Sequence, residues 1–298
     1  MQPPENGLIA SFLDEEKLPD SFAEIIASWY QPLAAQLTDM HKNLGRPLIV
    51  GINGAQGTGK STLAKFLSLM LKQQQLRVAN LSLDDFYLDS NQRGQLAREI
   101  HPLLATRGVP GTHDLELAEQ ILQALADPHS DEQILLPRFD KAIDEPKPQS
   151  EWDPIDLPVD VVLLEGWFVG LQPQVQESLN TPVNSLETDE DSSGTWRHYV
   201  NKQLFSYQTL FHQIDYLVML KPPSFDCVYQ WRSLQEQKLA ANAGLAGTKV
   251  MDQPALDRFI QHFERLTRHC LESLPNQSDL VFYLDPEHQI FKSHPPLH

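Results

Sequence analysis

The chain has 298 residues, 41% of them apolar, and a formal net charge of −17 at pH 7. That length allows one large domain or two small ones. The acidity argues against nucleic acid or an anionic membrane as partner, since both attract excess Lys and Arg. An anionic small molecule would have to be met by cations placed locally against the global field. The two cysteines, Cys227 and Cys270, have no metal-ligand or disulfide spacing and read as small core hydrophobes. No basic, then apolar, leader opens the chain, and no apolar run approaches the roughly 18 residues of a spanning helix. The expectation is a cytoplasmic protein.

In chain order, residues 20–43 carry Phe22, Ile25, Ile26, Trp29, Leu33 and Leu37 at helical spacing, with Pro32 to kink the helix and Gly45 to stop it. Residues 1–45 are expected as a helical arm packed on the core. Residues 47–52 are a short β-branched run before a Gly-rich turn, the pattern of a buried strand. A helix over 61–72 follows, then a strand over 77–83 and a helix over 115–125 capped by Asp114. Further strands are expected over 159–164, 215–220 and 279–284, with helices over 225–241 and 253–274. Strands alternating with helices imply an α/β fold, a parallel sheet covered on both faces; the expected order of its five strands is 2-3-1-4-5. The main domain is expected over 46–285. Residues 184–194 read as an acidic loop and 286–298 as a disordered tail.

Gly54-Ala55-Gln56-Gly57-Thr58-Gly59-Lys60-Ser61 satisfies the Walker A spacing, follows a strand and opens a helix. Glycines allow the backbone to approach phosphate, and successive N–H groups with the helix N-terminus form an anion nest. Lys60 is expected on the β- and γ-phosphates, Ser61 on Mg²⁺, and Thr62 beside them. ATP and Mg²⁺ are the implied cofactors. The strand over 159–164 ends in Glu165-Gly166, which makes Glu165 the second magnesium-organising acid. The second strand ends in Ser82-Leu83-Asp84-Asp85-Phe86-Tyr87, on the phosphate side of the sheet. Asp84 is the candidate base for an attacking hydroxyl. Asp85 is either a further metal ligand or a helix cap.

From Ser-Leu-Asp-Asp-Phe-Tyr onward the chain resembles the phosphoribulokinase, uridine kinase and pantothenate kinase group, whose Ser-x-Asp-x-Phe segment carries the base at the position of Asp84. The segments His101 to Asp114, Pro137-Arg138-Phe139-Asp140-Lys141-Ala142, Leu164-Glu165-Gly166-Trp167, Asn184-Ser185-Leu186-Glu187 and Trp196 to Asn201 are similar to those of D-glycerate 3-kinases of the plant and cyanobacterial type and their bacterial and fungal relatives. This resemblance, over about residues 48–236, implies phosphoryl transfer from MgATP to the 3-hydroxyl of D-glycerate. A nucleoside- or pantothenate-like acceptor is the alternative within the class; a nucleotide-dependent switch or assembly factor is the alternative outside it.

A carboxylate substrate and a charged transition state need preplaced cations. Arg107, Arg138, Lys141, Arg197 and Arg232 are the candidates, with Arg107 and Arg138 preferred for the acceptor and Arg232 on a lid over 225–250 that reaches the phosphates. Tyr87 and His113 are further acceptor candidates, with His101 behind them. Trp167 and Trp196 are expected to pack in the core.

Overall fold

A computed structural model describes residues 5–242 and 253–297. Its main sheet has six strands: β1 (Leu48–Gly54), β2 (Val78–Ser82), β3 (Val161–Gly166), β4 (Tyr216–Lys221), β5 (Leu280–Leu284) and β6 (Ile290–His294). They lie in the order β6-β5-β4-β1-β3-β2. The first five are parallel neighbours in the expected order, and β6 adds an antiparallel edge by pairing back on β5. The reading of the segment after Asp285 as a disordered tail is therefore corrected. Residues 285–289 make a hairpin turn closed by Asp285 N to Gln289 O, and Ile290 turns into the core.

Side chains alternate across the sheet with the two-residue period of a strand. Leu48, Val50, Ile52, Val161 and Leu163 join one buried cluster with the helix Lys60–Gln73 and the N-terminal helices. Ile49, Val162 and Leu164 join the other, with the helices Leu115–Ala126, Thr195–Phe211 and Gln253–Ser273. The central strands β1 and β3 are buried along their whole length, which explains why they read as unbroken apolar runs.

The N-terminal region begins one helix earlier than the periodicity indicates, with Glu5–Glu15, whose Phe12 packs edge-on against Phe66 at 5.2 Å. Before Pro32 the backbone passes from the helix Phe22–Ile25 through a π-helical turn, Ile26–Tyr30, into Gln31–Leu44. Proline has no N–H to give the preceding turn, and the wider turn absorbs the missing bond. Gly45 closes the helix in the left-handed region, at φ 70°. Asp114 accepts from Leu117 N at 3.0 Å, as expected of a cap. Residues 184–194 are not a plain loop: Asn184 caps a short helix, Ser185–Asp189. The expected lid over 225–250 begins in the helix Phe225–Asn242, and its remainder falls outside the described residues. Among the described residues, no helix is long and apolar enough to cross a membrane.

Candidate active site

Parallel pairing brings the C-terminal ends of three strands together. Ile52 pairs with Glu165, Asn53 with Gly166, and Ser82 with Glu165. The Gly-rich turn after β1, the acid ending β3 and the turn after β2 therefore share one edge of the sheet, where open α/β folds bind ligands.

In the Gly-rich turn, Gly57 and Gly59 adopt φ of 83° and 87°, a region that side chains disfavour. A Cβ on Gly54 would collide with Thr58 Oγ1, which folds back to donate to Ala55 O at 2.8 Å. Ala55 itself faces away and packs with Phe225 and Val228. The helix then starts at Lys60. Ser61 Oγ donates to Glu165 Oε1 at 2.7 Å, and Lys60 Nζ stands 3.9 Å from Glu165 Oε2. Glu165 is 6% exposed and its Oε2 accepts no hydrogen bond. A buried carboxylate oxygen without a donor, beside a serine hydroxyl, is a fit for a hard divalent cation. No group of three or more His, Cys, Asp or Glu side chains among the described residues could hold a metal by itself. Mg²⁺ takes one or two protein ligands and completes its shell with water and substrate phosphates, and Ser61 with Glu165 matches that need.

Asp84 lies across the cradle, in the 3-10 turn Leu83–Phe86. Tyr87 Oη donates to its Oδ1 at 2.7 Å and Lys141 Nζ to its Oδ2 at 2.6 Å. Burial alone would raise the Asp84 carboxyl. The Lys141 and Lys60 charges and the two hydrogen bonds outweigh it and hold the carboxyl down at about 2. Burial, with Asp84 alongside, pushes the Tyr87 hydroxyl well above its ordinary range, so it stays a donor.

Two depressions flank this centre. One, of about 230 Å³, is lined by Gln56, Gly57, Lys60, Asp84, Tyr87, Arg107, Lys141, Arg232, Phe259 and Phe263. Arg107 is held by an ion pair to Asp144 and stands 5.5 Å over the Phe139 ring. Arg232 stands 5.8 Å over Phe259. The other, about 630 Å³, runs along the opposite flank of the cradle past Gly59, Ser61 and Thr62. Its far walls are Leu18 and Phe22 from the N-terminal region, Trp231, and His288 from the β5–β6 turn. Trp231 and His288 stack at 3.9 Å.

Several sequence-derived candidates fall elsewhere. Asp85 is committed to the turn: its oxygens accept from Ser82 N at 3.4 Å, Phe139 N at 3.3 Å and Arg138 Nη1 at 3.1 Å. It is the cap and anchor of this segment, the helix-cap alternative of the sequence reading. Arg138 bonds Asp85, Asp153 and the carbonyls of Pro137 and Asn80, and it lines a groove with Lys72 and Asp156, not the cavity of Asp84. Its assignment to the acceptor is corrected: those contacts tie the Phe139 strand to β2. Arg197 is buried against Asp191 and Leu179 O and is structural.

His113 lies one layer behind the cavity, 4.5 Å from the Tyr87 ring. Tyr207 Oη accepts a hydrogen bond from Gly111 N and shares another with His113 Nδ1, 2.7 Å away. Burial holds His113 neutral, down at about 3. His101 caps Leu103 N. Trp167 is buried and donates to Gly108 O at 3.0 Å, and Trp196 is buried as well. Cys270 is buried, and burial pushes its thiol up to about 12. Missed in the sequence were Phe259 and Phe263, which look like core positions of an amphipathic helix, and the Leu18, Phe22 and His288 walls, which lie far from any motif.

The KAP family P-loop domain model matches residues 28–134. The chain is 33% identical over 258 residues to an uncharacterized kinase, mug58, of Schizosaccharomyces pombe, covering 78% of this chain and 90% of that protein. It is 30% identical over 216 residues to the chloroplastic D-glycerate 3-kinase of Arabidopsis thaliana, covering 69% of this chain but 45% of that protein. The solved D-glycerate 3-kinase of Cryptococcus neoformans var. grubii superposes with a TM-score of 0.72 at 27% identity, covering 89% of this chain and 98% of that one. Over most of its length, then, the chain shares both sequence and fold with such enzymes, and it belongs to the P-loop kinases of the glycerate kinase type.

Proposed function

We propose that the protein transfers the γ-phosphoryl group of ATP, with Mg²⁺, to the 3-hydroxyl of D-glycerate, giving 3-phosphoglycerate and ADP. The observation that carries this reading is the small cavity in which Asp84 shares walls with Lys60, Arg107, Lys141 and Arg232. Such an excess of cations, in a chain of net charge −17, suits a small carboxylate acceptor and the charge of a phosphoryl-transfer transition state. A cavity of about 230 Å³ favours a three-carbon acid over a nucleoside- or pantothenate-like alcohol. The larger cleft beyond Thr62 is left for the nucleoside.

In this reading the Gly54–Thr62 amides and Lys60 hold the β- and γ-phosphates. Ser61 and Glu165 would hold Mg²⁺, which would supply charge neutralisation for the transferred phosphoryl group. Lys141 exchanges Asp84 for the substrate carboxylate, and Arg107 grips the same group. Asp84 then accepts the hydrogen bond of the 3-hydroxyl and aims its oxygen at the γ-phosphorus. The new O–P bond forms as the bond to the β-phosphate oxygen breaks, and the proton passes to Asp84. Lys141 and Lys60 hold this carboxylate near 2 before the acceptor binds, and the turn of Lys141 to the substrate relaxes that hold and leaves Asp84 a modest base. That is adequate for a loose transition state, in which the proton leaves late and positioning does most of the catalysis.

Purified protein with MgATP and a panel of alcohols, followed by coupled ADP release and by NMR of the product, tests this. D-Glycerate is expected to turn over to 3-phosphoglycerate. Turnover of a different alcohol with none of D-glycerate would refute the acceptor, and phosphate at the 2-position would refute the regiochemistry.

A further inference from the structure

The segment Asn184-Ser185-Leu186-Glu187 touches neither cavity wall of the acceptor site nor the Gly-rich turn, yet it is densely bonded to a single partner, the helix Gln253–Ser273. Glu187 is fully buried and pairs bidentately with Arg265, at 2.7 and 2.6 Å. Arg265 also donates to Ser178 O and Thr181 O. Gln261 Oε1 accepts from Ser185 Oγ at 2.8 Å and from Leu186 N at 2.7 Å. Asn184 Nδ2 donates to Gln261 O and to Glu264. One turn back, Arg258 pairs with Glu190.

Residues 258, 261 and 265 recur at helical spacing and define one stripe. Phe259 and Phe263, also one turn apart, form another stripe, and they wall the acceptor cavity. A helix turns about 100° and rises about 1.5 Å per residue, so whatever fixes the first stripe fixes the rotation and height of the second. The position of Phe263 has little tolerance. A Cβ on Gly108 would collide with its ring, and Trp167 packs against it at 5.1 Å while bonding Gly108 O. Gly108 in turn follows Arg107. Phe259 carries Arg232 on its face.

We infer that Glu187, Arg265 and Gln261 are positioning residues for the acceptor: a polar clamp, buried at its Glu187–Arg265 pair, that sets the rotation of helix Gln253–Ser273, and through Phe259 and Phe263 the seats of Arg232 and Arg107. The inference rests on the acceptor cavity identified above. The clamp residues are not among those packed on the cradle of Gly54–Thr62; their helix reaches it through Leu256 and Ile260, which cluster with Ala55, so loosening is expected to weigh on the acceptor more than on ATP.

The test compares Gln261→Ala and Glu187→Gln with wild type in the full-length protein. Gln261→Ala removes two hydrogen bonds and leaves the buried ion pair, so it keeps the test decisive even if Glu187→Gln fails to fold. The expected result is an acceptor KM raised about tenfold, with ATP KM held within about twofold, since misplacement by a fraction of an ångström suffices for such a loss. Amide hydrogen exchange in the same samples supplies a readout independent of any acceptor. Peptides covering 255–266 and 105–112 are expected to exchange faster, and peptides covering 54–64 as in wild type. ATP and acceptor constants moving together, or exchange rising across the cradle as well, would overturn the clamp. Wild-type failure to phosphorylate D-glycerate would refute the acceptor reading alone; the exchange pattern still decides on the clamp.

Discussion

Replacing Asp84 by Asn separates chemistry from nucleotide binding. The substitution keeps the shape of the side chain and the hydrogen bond from Tyr87 but removes the charge that faces Lys141 and Lys60. Loss of a positioned proton acceptor costs about 10²- to 10⁴-fold in kcat, or about 3–5 kcal/mol. The phosphate cradle is untouched, so ATP KM is expected to stay within about threefold of wild type. A stability effect accompanies the kinetic one. Burial raises the Asp84 carboxyl, but its cationic neighbours win and lower it from 3.8 to about 2. By linkage that corresponds to about 2 kcal/mol in favour of the folded state. A depressed carboxyl contributes above its unfolded value and loses the contribution as pH falls through its folded one. The gap between wild type and Asp84→Asn in urea unfolding is therefore expected in full at pH 7 and to close between about pH 4 and pH 2. Coupled ADP release supplies the kinetics. Retention of kcat within tenfold in Asp84→Asn, while Lys60→Ala abolishes function, would refute the phosphoryl-transfer role and favour a nucleotide-dependent switch.

Two further substitutions probe the neighbours of Asp84. Glu165→Gln leaves a hydrogen-bond acceptor for Ser61 but removes the buried charge, and the Mg²⁺ concentration for half-maximal activity is expected to rise about 10- to 100-fold. An unchanged Mg²⁺ requirement would remove Glu165 from the metal site. Arg138→Met breaks the ties to Asp85 and Asp153 and is expected to cost about 1–3 kcal/mol in urea unfolding with the acceptor KM unchanged. A raised acceptor KM at full stability would return Arg138 to the substrate.

The residues of the phosphate cradle were legible because their chemistry is local. A Gly-rich turn between an apolar strand and a helix, followed by Lys60 and Ser61, contains its own geometry, and the parallel pairing follows from the alternation of elements. Glu165 was legible for a similar reason, as an acid that ends a buried strand. The acceptor side was not. Arg107 and Arg138 sit in comparable loops, and nothing local tells which faces Asp84. Packing decides it: Arg138 is drawn to Asp85 and Asp153 on the outer edge of β2, while Asp144 and Phe139 hold Arg107 over the cavity. Asp84 and Asp85 are adjacent and chemically alike. Their different roles arise because one turn of 3-10 helix points the first at Lys60 and Lys141 and the second at its own backbone. Likewise Phe259, Phe263 and His288 become walls of a site only because segments distant in sequence fold against the cradle. Local pattern determined the nucleotide-binding half of this protein. The cavity beside Asp84 is made by long-range contacts, which spacing along the chain does not encode.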